Sequence, residues 1–445
     1  MLDEQLHKLM ATYGAPGVAV GVWHDGEAIF TAAGVTNVDH PLPVDADTLF
    51  QIGSTTKTFT ATVAMQLAQV GKLELNAPIR RYLPAFRLQD EHAAANATLT
   101  HCFTHTGGWL GDYFDDTGDG DDALARYVEA MAGLPQLTPL GRVWSYNNAG
   151  FSLAGRVIER VTGQPFEQTV HELLLAPLGM ERSFFFAKEV MTHRVAAGHI
   201  VDEALKPTVA RPWALARSAH PAGGIISTAR DQLRYARFHL GHDVATQGAP
   251  ARAALLGMQK PLAEAGSMAD AVGLSWLLRK VGGVQTVAHG GATNGQLSAF
   301  LLVPERDFAI TVLTNANRGR ELHRDLVDWA LAHYLGLRDP EPAVLARTPE
   351  ELADVAGRYE ARLSHLAVTV SERRLRVHTT PQGGFPHKDS PAGPTPPPSE
   401  MAFVGGDQLR FVAGPAKGGR AEILRDEAGR ITWLRVGGRI HRRVG

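Results

Sequence analysis

Residues 50–59, Phe50-Gln51-Ile52-Gly53-Ser54-Thr55-Thr56-Lys57-Thr58-Phe59, pass from an apolar, extended start through a turn at Gly53 to the beginning of a helix. Behind Ser54 the apolar residues recur at helical spacing, at Phe59, Val63, Leu67 and Val70. The pattern therefore predicts a short strand, a tight turn and a helix that starts at Ser54.

This helix would place Ser54 and Lys57 side by side, because residues three apart are neighbours on a helix. Backbone N–H groups in the first turn of a helix lack intrahelical partners, and a buried lysine loses its preference for the charged form. Ser54 and Lys57 are therefore a candidate nucleophile and base. The alternative is a serine that only caps the helix and a lysine that is solvated.

The composition is that of a globular protein and argues against several functional classes. The 445 residues are 44% hydrophobic and 20% charged, enough for one large domain and a smaller one. The 44 Lys and Arg residues balance 46 Asp and Glu residues, which argues against nucleic acid or an anionic membrane as partner. No segment suits a membrane span, the first residues do not resemble a signal peptide, and Cys102 is the single cysteine. We therefore expect a cytoplasmic protein without an intrachain disulfide.

The order of the predicted elements indicates an α+β domain. Two strands joined around Asp25-Gly26 come early, and further strands are predicted at 272–276, 286–289, 297–303 and 308–313. The predicted helices lie at 98–104, 123–132, 148–162, 165–175, 228–240 and 322–335. Strands from both ends of this region predict one antiparallel sheet with a helical subdomain inserted between them.

The remaining chain predicts a second, all-β domain. Prolines at 340, 342 and 349 indicate a linker over 339–349, so the first domain would cover 1–338 and the second 350–445. Short alternating strands in the second domain predict a small barrel. A proline-rich run from 386 to 400 is expected to be an extended or disordered loop.

Two later stretches carry side chains that suit a hydrolytic site. In Trp144-Ser145-Tyr146-Asn147-Asn148, the phenol beside an ammonium group would ionise more readily, and the Asn148 amide would orient the lysine and a substrate carbonyl. In Val287-Ala288-His289-Gly290-Gly291-Ala292, the glycines would let a substrate lie against the backbone, and the Ala292 N–H would pair with that of Ser54 as an oxyanion hole. A structural turn and a structural histidine are the alternatives for each stretch alone.

Together these segments resemble the motifs of the penicillin-recognising serine hydrolases. Ser54-Thr55-Thr56-Lys57, Tyr146-Asn147-Asn148 and His289-Gly290-Gly291 occur in the family's order and approximate spacing. Flanking segments match as well, at Phe50-Gln51-Ile52-Gly53, Thr104-His105-Thr106-Gly107 and Pro221-Ala222-Gly223-Gly224. The similarity covers about residues 5 to 335. It points to the branch of class C β-lactamases, D-alanyl-D-alanine carboxypeptidases, D-stereospecific aminopeptidases and related esterases.

The resemblance implies a β-lactamase-like, transpeptidase-like fold in which Ser54 is acylated and Lys57 and Tyr146 share the proton transfers. Water, activated by Tyr146, would then release the acyl group. The substrate-binding and oxyanion positions would be Asn148, His289, Gly291 and Ala292. No metal and no organic cofactor is implied. The all-β domain resembles lipocalin-like appendages of some relatives, and three roles are open for it: a wall of the cleft, a limit on substrate size, or homo-oligomerisation.

The third motif departs from the β-lactamases and carboxypeptidases, which usually carry Lys where this chain has His289. A histidine is largely neutral at pH 7 unless its pKa is raised, so this position favours a substrate carboxylate less. The expected function is hydrolysis of amide bonds in small peptides, including peptides with D-residues. The alternatives are a carboxylesterase or weak β-lactamase of the same fold, and a non-catalytic binding or scaffold protein.

Residues 112–122 are rich in aspartate and resemble a calcium loop in composition, but Arg126 stands where such a loop has its bidentate Glu. The segment is therefore expected to be an acidic loop; the resemblance implies that it lies at the mouth of the cleft near the substrate, where it would attract a free amino group. His101 and His105, four residues apart, are expected to pack and anchor a loop instead of binding a metal.

Overall fold

The structure is a computed structural model that describes residues 1–213, 215–242 and 251–444. The strands are β1 (Gly17–His24), β2 (Glu27–Gly34), β3 (Phe50–Gln51), β4 (His199–Val201), β5 (Pro207–Val209), β6 (Ile226–Ser227), β7 (Ala271–Val272), β8 (Leu277–Val281), β9 (Val284–Ala292), β10 (Leu297–Val303), β11 (Phe308–Thr314), β12 (Gly357–Glu360), β13 (Ser364–Ser371), β14 (Arg374–Pro381), β15 (Ser399–Phe403), β16 (Gln408–Ala413), β17 (Arg420–Arg425), β18 (Ile431–Val436) and β19 (Arg439–Val444).

The helices are α1 (Leu2–Tyr13), α2 (Thr56–Gln69), α3 (Glu91–Asn96), α4 (Leu99–Phe103), α5 (Ala123–Ala130), α6 (Ala149–Thr162), α7 (Phe166–Val170), α8 (Ala187–Val190), α9 (His220–Gly223), α10 (Ala229–Leu240), α11 (Arg252–Met258), α12 (Gly319–Leu335) and α13 (Pro349–Val355). Short 3-10 turns lie at Gly53–Thr55, Ile79–Arg81, Met131–Gly133, Arg217–Ala219 and Pro304–Arg306, and a π-helical turn lies at His171–Leu175. In the described part of the chain, no helix is long and apolar enough to cross a membrane.

The central sheet is antiparallel, and, as predicted, it combines the early strands β1 and β2 with the later strands β7 to β11. Among the described residues it has seven strands in the order β2-β1-β11-β10-β9-β8-β7. Strand β1 is buried on both faces, because α1 and α12 cover one face and the inserted helices cover the other. Gly21 leaves room for this second layer, since a Cβ there would lie 2.9 Å from Cγ of Leu233 on α10.

Helix α2 runs through the middle of the helical subdomain. Nearly every side chain from Thr56 to Leu67 is buried, and the aromatic ring of Phe59 stacks on Tyr235 of α10 at 3.7 Å. A helix that is buried all round needs no polar face, which explains the run of threonines and alanines along it. The predicted helix start is slightly different: Ser54 lies in the 3-10 turn Gly53–Thr55, and the α-helix begins at Thr56.

One predicted strand, over 272–276, is wrong beyond its first residue. Strand β7 ends at Val272, Gly273 and Trp276 close a turn, and the following strand, Leu277–Val281, was not predicted. Ser275 explains the interruption, because its φ of 72° lies in the left-handed region that a strand cannot contain.

Beyond an irregular stretch at 336–348, the chain forms a closed antiparallel barrel. In the described part of the chain the barrel has eight strands, β12 to β19, and β12 closes it by pairing with β19. Its core is filled by inward apolar side chains such as Tyr359, Leu375 and Phe411, with α13 packed against them. The lipocalin-like all-β prediction is confirmed, although the proline-rich run ends in strand β15, which the sequence pattern did not predict.

Candidate active site

The turn that carries Ser54 is fixed by close backbone packing. Strand β3 pairs with β6, and the chain then turns at Gly53 with φ 51°. A Cβ at Gly53 would lie 2.7 Å from the backbone nitrogen of Ala292, so only glycine fits there. The end of β9 therefore lies directly against the residue before Ser54.

Hydrogen bonds hold the same turn to the sheet. The Ser298 hydroxyl on β10 donates to the Ile52 carbonyl oxygen at 2.7 Å, and Thr55 Oγ1 lies 2.8 Å from Ser298 Oγ. Thr55 also donates to the His289 carbonyl oxygen at 3.3 Å. Because these groups are buried and mutually satisfied, Ser54 is held in one position relative to β9 and β10.

Lys57 reaches Ser54 from the first turn of α2. Its Nζ lies 3.0 Å from Ser54 Oγ and donates to the Ala222 carbonyl oxygen at 2.6 Å. The side chain is fully buried, and burial lowers the pKa of Lys57 well below its ordinary value; the Arg439 charge acts in the same direction, whereas Asp112 opposes it. A neutral amine at this distance is able to accept the serine proton.

Tyr146 lies beside both Lys57 and Ser54. The Lys57 Nζ is 5.0 Å from the centre of the phenol ring, and His105 stacks on that ring at 4.4 Å. Burial raises the pKa of Tyr146 to about 12, although the Ser54 hydroxyl and the Arg439 guanidinium lower it. The sequence-based expectation that Tyr146 ionises more readily is therefore not met, and the phenol is protonated at neutral pH.

Asn148 and Arg439 converge on one buried carboxylate. Asn148 Nδ2 donates to Asp112 Oδ1 at 2.9 Å, and the Arg439 guanidinium makes two contacts of 3.1 Å with the two Asp112 oxygens. The same guanidinium lies over the Tyr146 ring, with Cζ 4.6 Å from its centre. The amide nitrogen of Asn148 is thus occupied by Asp112, which leaves its carbonyl end for other partners.

Arg439 belongs to the barrel, and sequence analysis missed it. The turn between β18 and β19 reaches the Tyr146 segment, where the Tyr146 N–H donates to the Gly438 carbonyl oxygen at 2.8 Å. Gly438 also packs against the Trp144 ring, since a Cβ there would lie 3.1 Å from it. In the sequence, Val436-Gly437-Gly438-Arg439 predicts only a hairpin turn, so nothing in it marks Arg439 as a site residue.

The third motif lies along the end of β9, next to the Ser54 turn. His289 is only 2% exposed, and burial lowers its pKa to about 3, so the ring is neutral. Its Nδ1 lies 2.7 Å from the Gly290 carbonyl oxygen and therefore carries the proton. Nε2 is then a buried acceptor, and it has no partner among the described residues.

The end of β9, at Gly291 and Ala292, packs so closely against the Ser54 turn that position 291 requires glycine. A Cβ at Gly291 would lie 1.8 Å from the Ile52 carbonyl oxygen, so any side chain would push β9 away from the Ser54 turn. The same approach brings the Ala292 backbone nitrogen next to Gly53. The structure thus brings together all seven candidate residues or their backbone, namely Ser54, Lys57, Tyr146, Asn148, His289, Gly291 and Ala292.

Three of the six aspartates of the acidic loop pair with basic residues from distant parts of the chain, which the sequence did not indicate. Asp115 pairs with Lys388 of the proline-rich run at 2.8 Å, and Asp121 pairs with Arg217 at 2.8 Å. With Asp112 paired to Arg439, these contacts join the loop to the barrel and to the helical subdomain. The loop therefore offers a substrate amine less negative charge than its composition indicates.

The two histidines near this loop have local structural contacts. His101 Nδ1 accepts from the Thr98 N–H at 3.2 Å, and the two residues form a capping box at the start of α4. His105 accepts at Nδ1 from the Asn147 N–H at 3.0 Å, and its carbonyl oxygen accepts from the Ser145 N–H. His105 thus holds the segment that carries Tyr146.

Comparison with known proteins gives one family. The Beta-lactamase family model matches residues 2–334. Penicillin-binding protein 4 of Amycolatopsis lactamdurans is 36% identical over 368 residues, which cover 80% of this chain and 96% of that protein. Esterase EstB of Burkholderia gladioli is 34% identical over 188 residues, which cover 39% of this chain and 48% of that protein.

Solved structures extend the similarity to the barrel. The crystal structure of SurE matches with a TM-score of 0.74 and 25% identity, over 100% of this chain and 98% of that chain. The structure of SurE with D-Leu matches over the same shares, with a TM-score of 0.73 and 25% identity.

Proposed function

The chain belongs to the beta-lactamase family of serine hydrolases, and we propose that it hydrolyses amide bonds of small peptides, including peptides with D-residues, through an acyl-enzyme on Ser54. The observation that carries this proposal is the 3.0 Å contact between Ser54 Oγ and the buried Nζ of Lys57. A neutral lysine is a competent base at neutral pH, and a serine hydroxyl needs such a base to attack an amide.

Acylation begins when Lys57 Nζ takes the proton of Ser54 Oγ as that oxygen attacks the substrate carbonyl. The N–H groups of Ser54 and Ala292 receive the negative charge that develops on the carbonyl oxygen. Collapse of the tetrahedral intermediate expels an amine, which needs a proton. Tyr146 supplies it, because its pKa of about 12 keeps the phenol protonated, and Lys57 returns a proton to Tyr146.

Deacylation reverses these transfers. Water attacks the acyl-enzyme, and its proton passes through Tyr146 toward Lys57, which is neutral again after acylation. Ser54 leaves with a proton, and the carboxylic acid product is released. Each step therefore uses the same two groups in opposite directions.

Two features favour a peptide over a β-lactam as substrate. The neutral ring of His289 replaces the usual lysine, so a substrate carboxylate gains no ion pair at the third motif. SurE, whose structure has been determined with D-Leu, supports the inclusion of D-residues. A carboxylesterase is the second candidate, favoured by the similarity to esterase EstB.

The first test is acylation itself. The protein is treated with a fluorophosphonate, and its intact mass is measured beside that of the Ser54→Ala variant. We expect one adduct on the native protein and none on the variant. A folded native protein that gains no adduct from this probe or from a penicillin would instead be a binding or scaffold protein.

The second test separates amide from ester hydrolysis. Matched substrates with the same acyl group, one a D- or L-aminoacyl amide and the other an ester, are compared in the native protein and in Tyr146→Phe. An amine needs a proton to leave and an alkoxide needs it less, so we expect Tyr146→Phe to slow amides more than esters. Faster turnover of a chromogenic cephalosporin than of every peptide would overturn the substrate class.

A further inference from the structure

A cavity of about 1220 Å³ lies beside the contacts that join the barrel to the Tyr146 segment, between that segment and the outer face of the barrel. One wall is formed by Leu110–Asp112, Pro135–Leu137 and Ser145–Tyr146, and the other by residues of β12, β18 and β19. Pockets for small ligands usually measure about 300–1000 Å³, so this one has room for several residues of a peptide. It is continuous with the site, because Tyr146 and Asp112 line it.

The lining of this cavity carries excess positive charge. Its arginines are Arg362, Arg430, Arg439, Arg442 and Arg443, and its carboxylates are Asp112, Glu360 and Asp426. Two of the carboxylates are already paired, Asp112 with Arg439 and Asp426 with Arg430. Among the described lining residues, Glu360 is then the one carboxylate that faces the remaining three arginines.

Those three arginines have no carboxylate partner in the described part of the chain. Arg443 donates to the backbone oxygens of Asp354 and Ala356, which are neutral. Arg362 and Arg442 are exposed and take part in no ion pair there. A guanidinium without a carboxylate, at the wall of a cavity large enough for a peptide, is a donor for an incoming anion.

The strand register places Arg442 between an aromatic ring and a carboxylate. It lies directly opposite Trp433 on β18 and opposite Glu360 on β12, so the three side chains share one face of the sheet. Arg362 follows β12, and its guanidinium lies close to Gly384: a Cβ at Gly384 would be 2.9 Å from Arg362 Nη2. An apolar ring beside two unpaired guanidinium groups suits an acidic residue that also has an apolar neighbour.

We propose that this cavity binds a carboxylate of the peptide substrate that is remote from the scissile bond, with Arg362 and Arg442 as its ligands. This inference rests on the proposed peptide hydrolysis and adds to it a preference for peptides with such a carboxylate. The carboxylate is either an acidic side chain or the peptide's terminal group, since both present the same two oxygens to a guanidinium.

The test uses peptides that share the residues around the scissile bond and differ farther along the chain. One pair carries Glu or Gln two to four residues away, and a second pair ends in a free carboxylate or an amide. kcat/KM is measured for the native protein, for Arg362→Gln with Arg442→Gln, and for Arg376→Gln. Arg376 is the matched control because it is an exposed barrel arginine on β14, outside this cavity.

We expect the native protein and the control to prefer one acidic peptide over its neutral partner by about tenfold or more. The Arg362→Gln, Arg442→Gln protein should lose most of that ratio, and 0.5 M salt should reduce it in the native protein. The pair that shows the preference identifies the carboxylate. Equal rates within both pairs, or a preference that survives both substitutions, would overturn the proposal.

Failure of the proposed function is distinguishable from failure of this inference. If no peptide is hydrolysed, the same pairs are titrated into Ser54→Ala, and the dissociation constants are measured by calorimetry. Tighter binding of an acidic peptide that is lost with Arg362→Gln and Arg442→Gln would still support the site. Equal dissociation constants within both pairs would reject it.

Discussion

The Ser54 half of the site and the Tyr146 half are held in different ways. Ser54 and Lys57 lie on one buried turn and helix, and strands β9 and β10 of the central sheet support that turn. Tyr146 depends on the barrel, through the Gly438 carbonyl oxygen and the guanidinium of Arg439. The proposed nucleophile thus depends on a short local sequence, whereas its proposed proton partner depends on contacts such as that of Ile440 with Ser145, 295 residues apart.

The largest expected effect is at the nucleophile. Ser54→Ala removes the attacking oxygen and leaves only binding and oxyanion contacts, so we expect kcat to fall by about 10⁶-fold. The measurement is steady-state turnover of the best substrate, with intact mass to show that no acyl-enzyme forms. Turnover within tenfold of the native protein would place the nucleophile elsewhere.

Lys57→Ala should come next, with a loss of about 10²–10⁴-fold, because it removes the base. In the native protein, kcat/KM should fall as the pH falls through the lowered pKa of Lys57, since the amine then binds a proton and stops acting as a base. Lys72→Ala, an exposed lysine just beyond the end of α2, is the control and should leave both the rate and the pH profile unchanged.

Gly291→Ala tests whether the Ser54 half needs its close contact with β9. The added methyl would meet the Ile52 carbonyl oxygen at 1.8 Å, and this backbone cannot move without moving Ser54. We expect a loss of about 10²-fold in kcat. Gly290→Ala is the matched control, because its nearest contact is at 3.1 Å and needs only a small shift. Similar rates for the two variants would show that the turn is not held by β9.

Arg439→Gln tests the Tyr146 half, and we expect a smaller loss, about tenfold in kcat/KM. Because the Arg439 charge lowers the pKa of Lys57, its removal should raise that pKa and move the acid limb of the pH profile to higher pH. Arg439→Lys should restore much of the native profile.

A control is needed because Arg439→Gln alone leaves the carboxylate of Asp112 buried without its partner, which destabilises the fold. The double variant Asp112→Asn, Arg439→Gln removes both charges. We expect this double variant to be more stable to heat than Arg439→Gln alone. The acid limb of its pH profile should shift less, because loss of Asp112 lowers the pKa of Lys57 whereas loss of Arg439 raises it. An unchanged pH profile in both variants would show that Arg439 has only a structural role.

The features that the sequence predicts correctly are those that local chain geometry determines. Residues three apart on a helix must be neighbours, so the contact of Ser54 with Lys57 followed from spacing alone. The hairpin at Asp25-Gly26, the antiparallel sheet and the all-β character of the second region also followed from periodicity and turn residues.

The features that the sequence does not predict depend on burial and on partners far away in the chain. The pKa of Tyr146 rises because the ring is buried, with His105 stacked on it, and no pattern around residue 146 indicates that burial. Three of the six aspartates of the 112–122 loop pair with Arg217, Lys388 and Arg439, which come from three separate parts of the chain. Pairings of this kind are set by tertiary packing, which a single sequence does not specify.

The contact of Arg439 with Asp112 has a consequence for synthesis of the protein. The two residues are 327 apart in the chain, and at about 5–20 residues per second the ribosome needs tens of seconds to travel from one to the other. During that interval the nascent chain already contains Ser54 and Lys57, but the guanidinium that supports Tyr146 does not yet exist. Synthesis of the barrel therefore delays completion of the site. The barrel's contacts around Tyr146 form only after its last strand has left the ribosome.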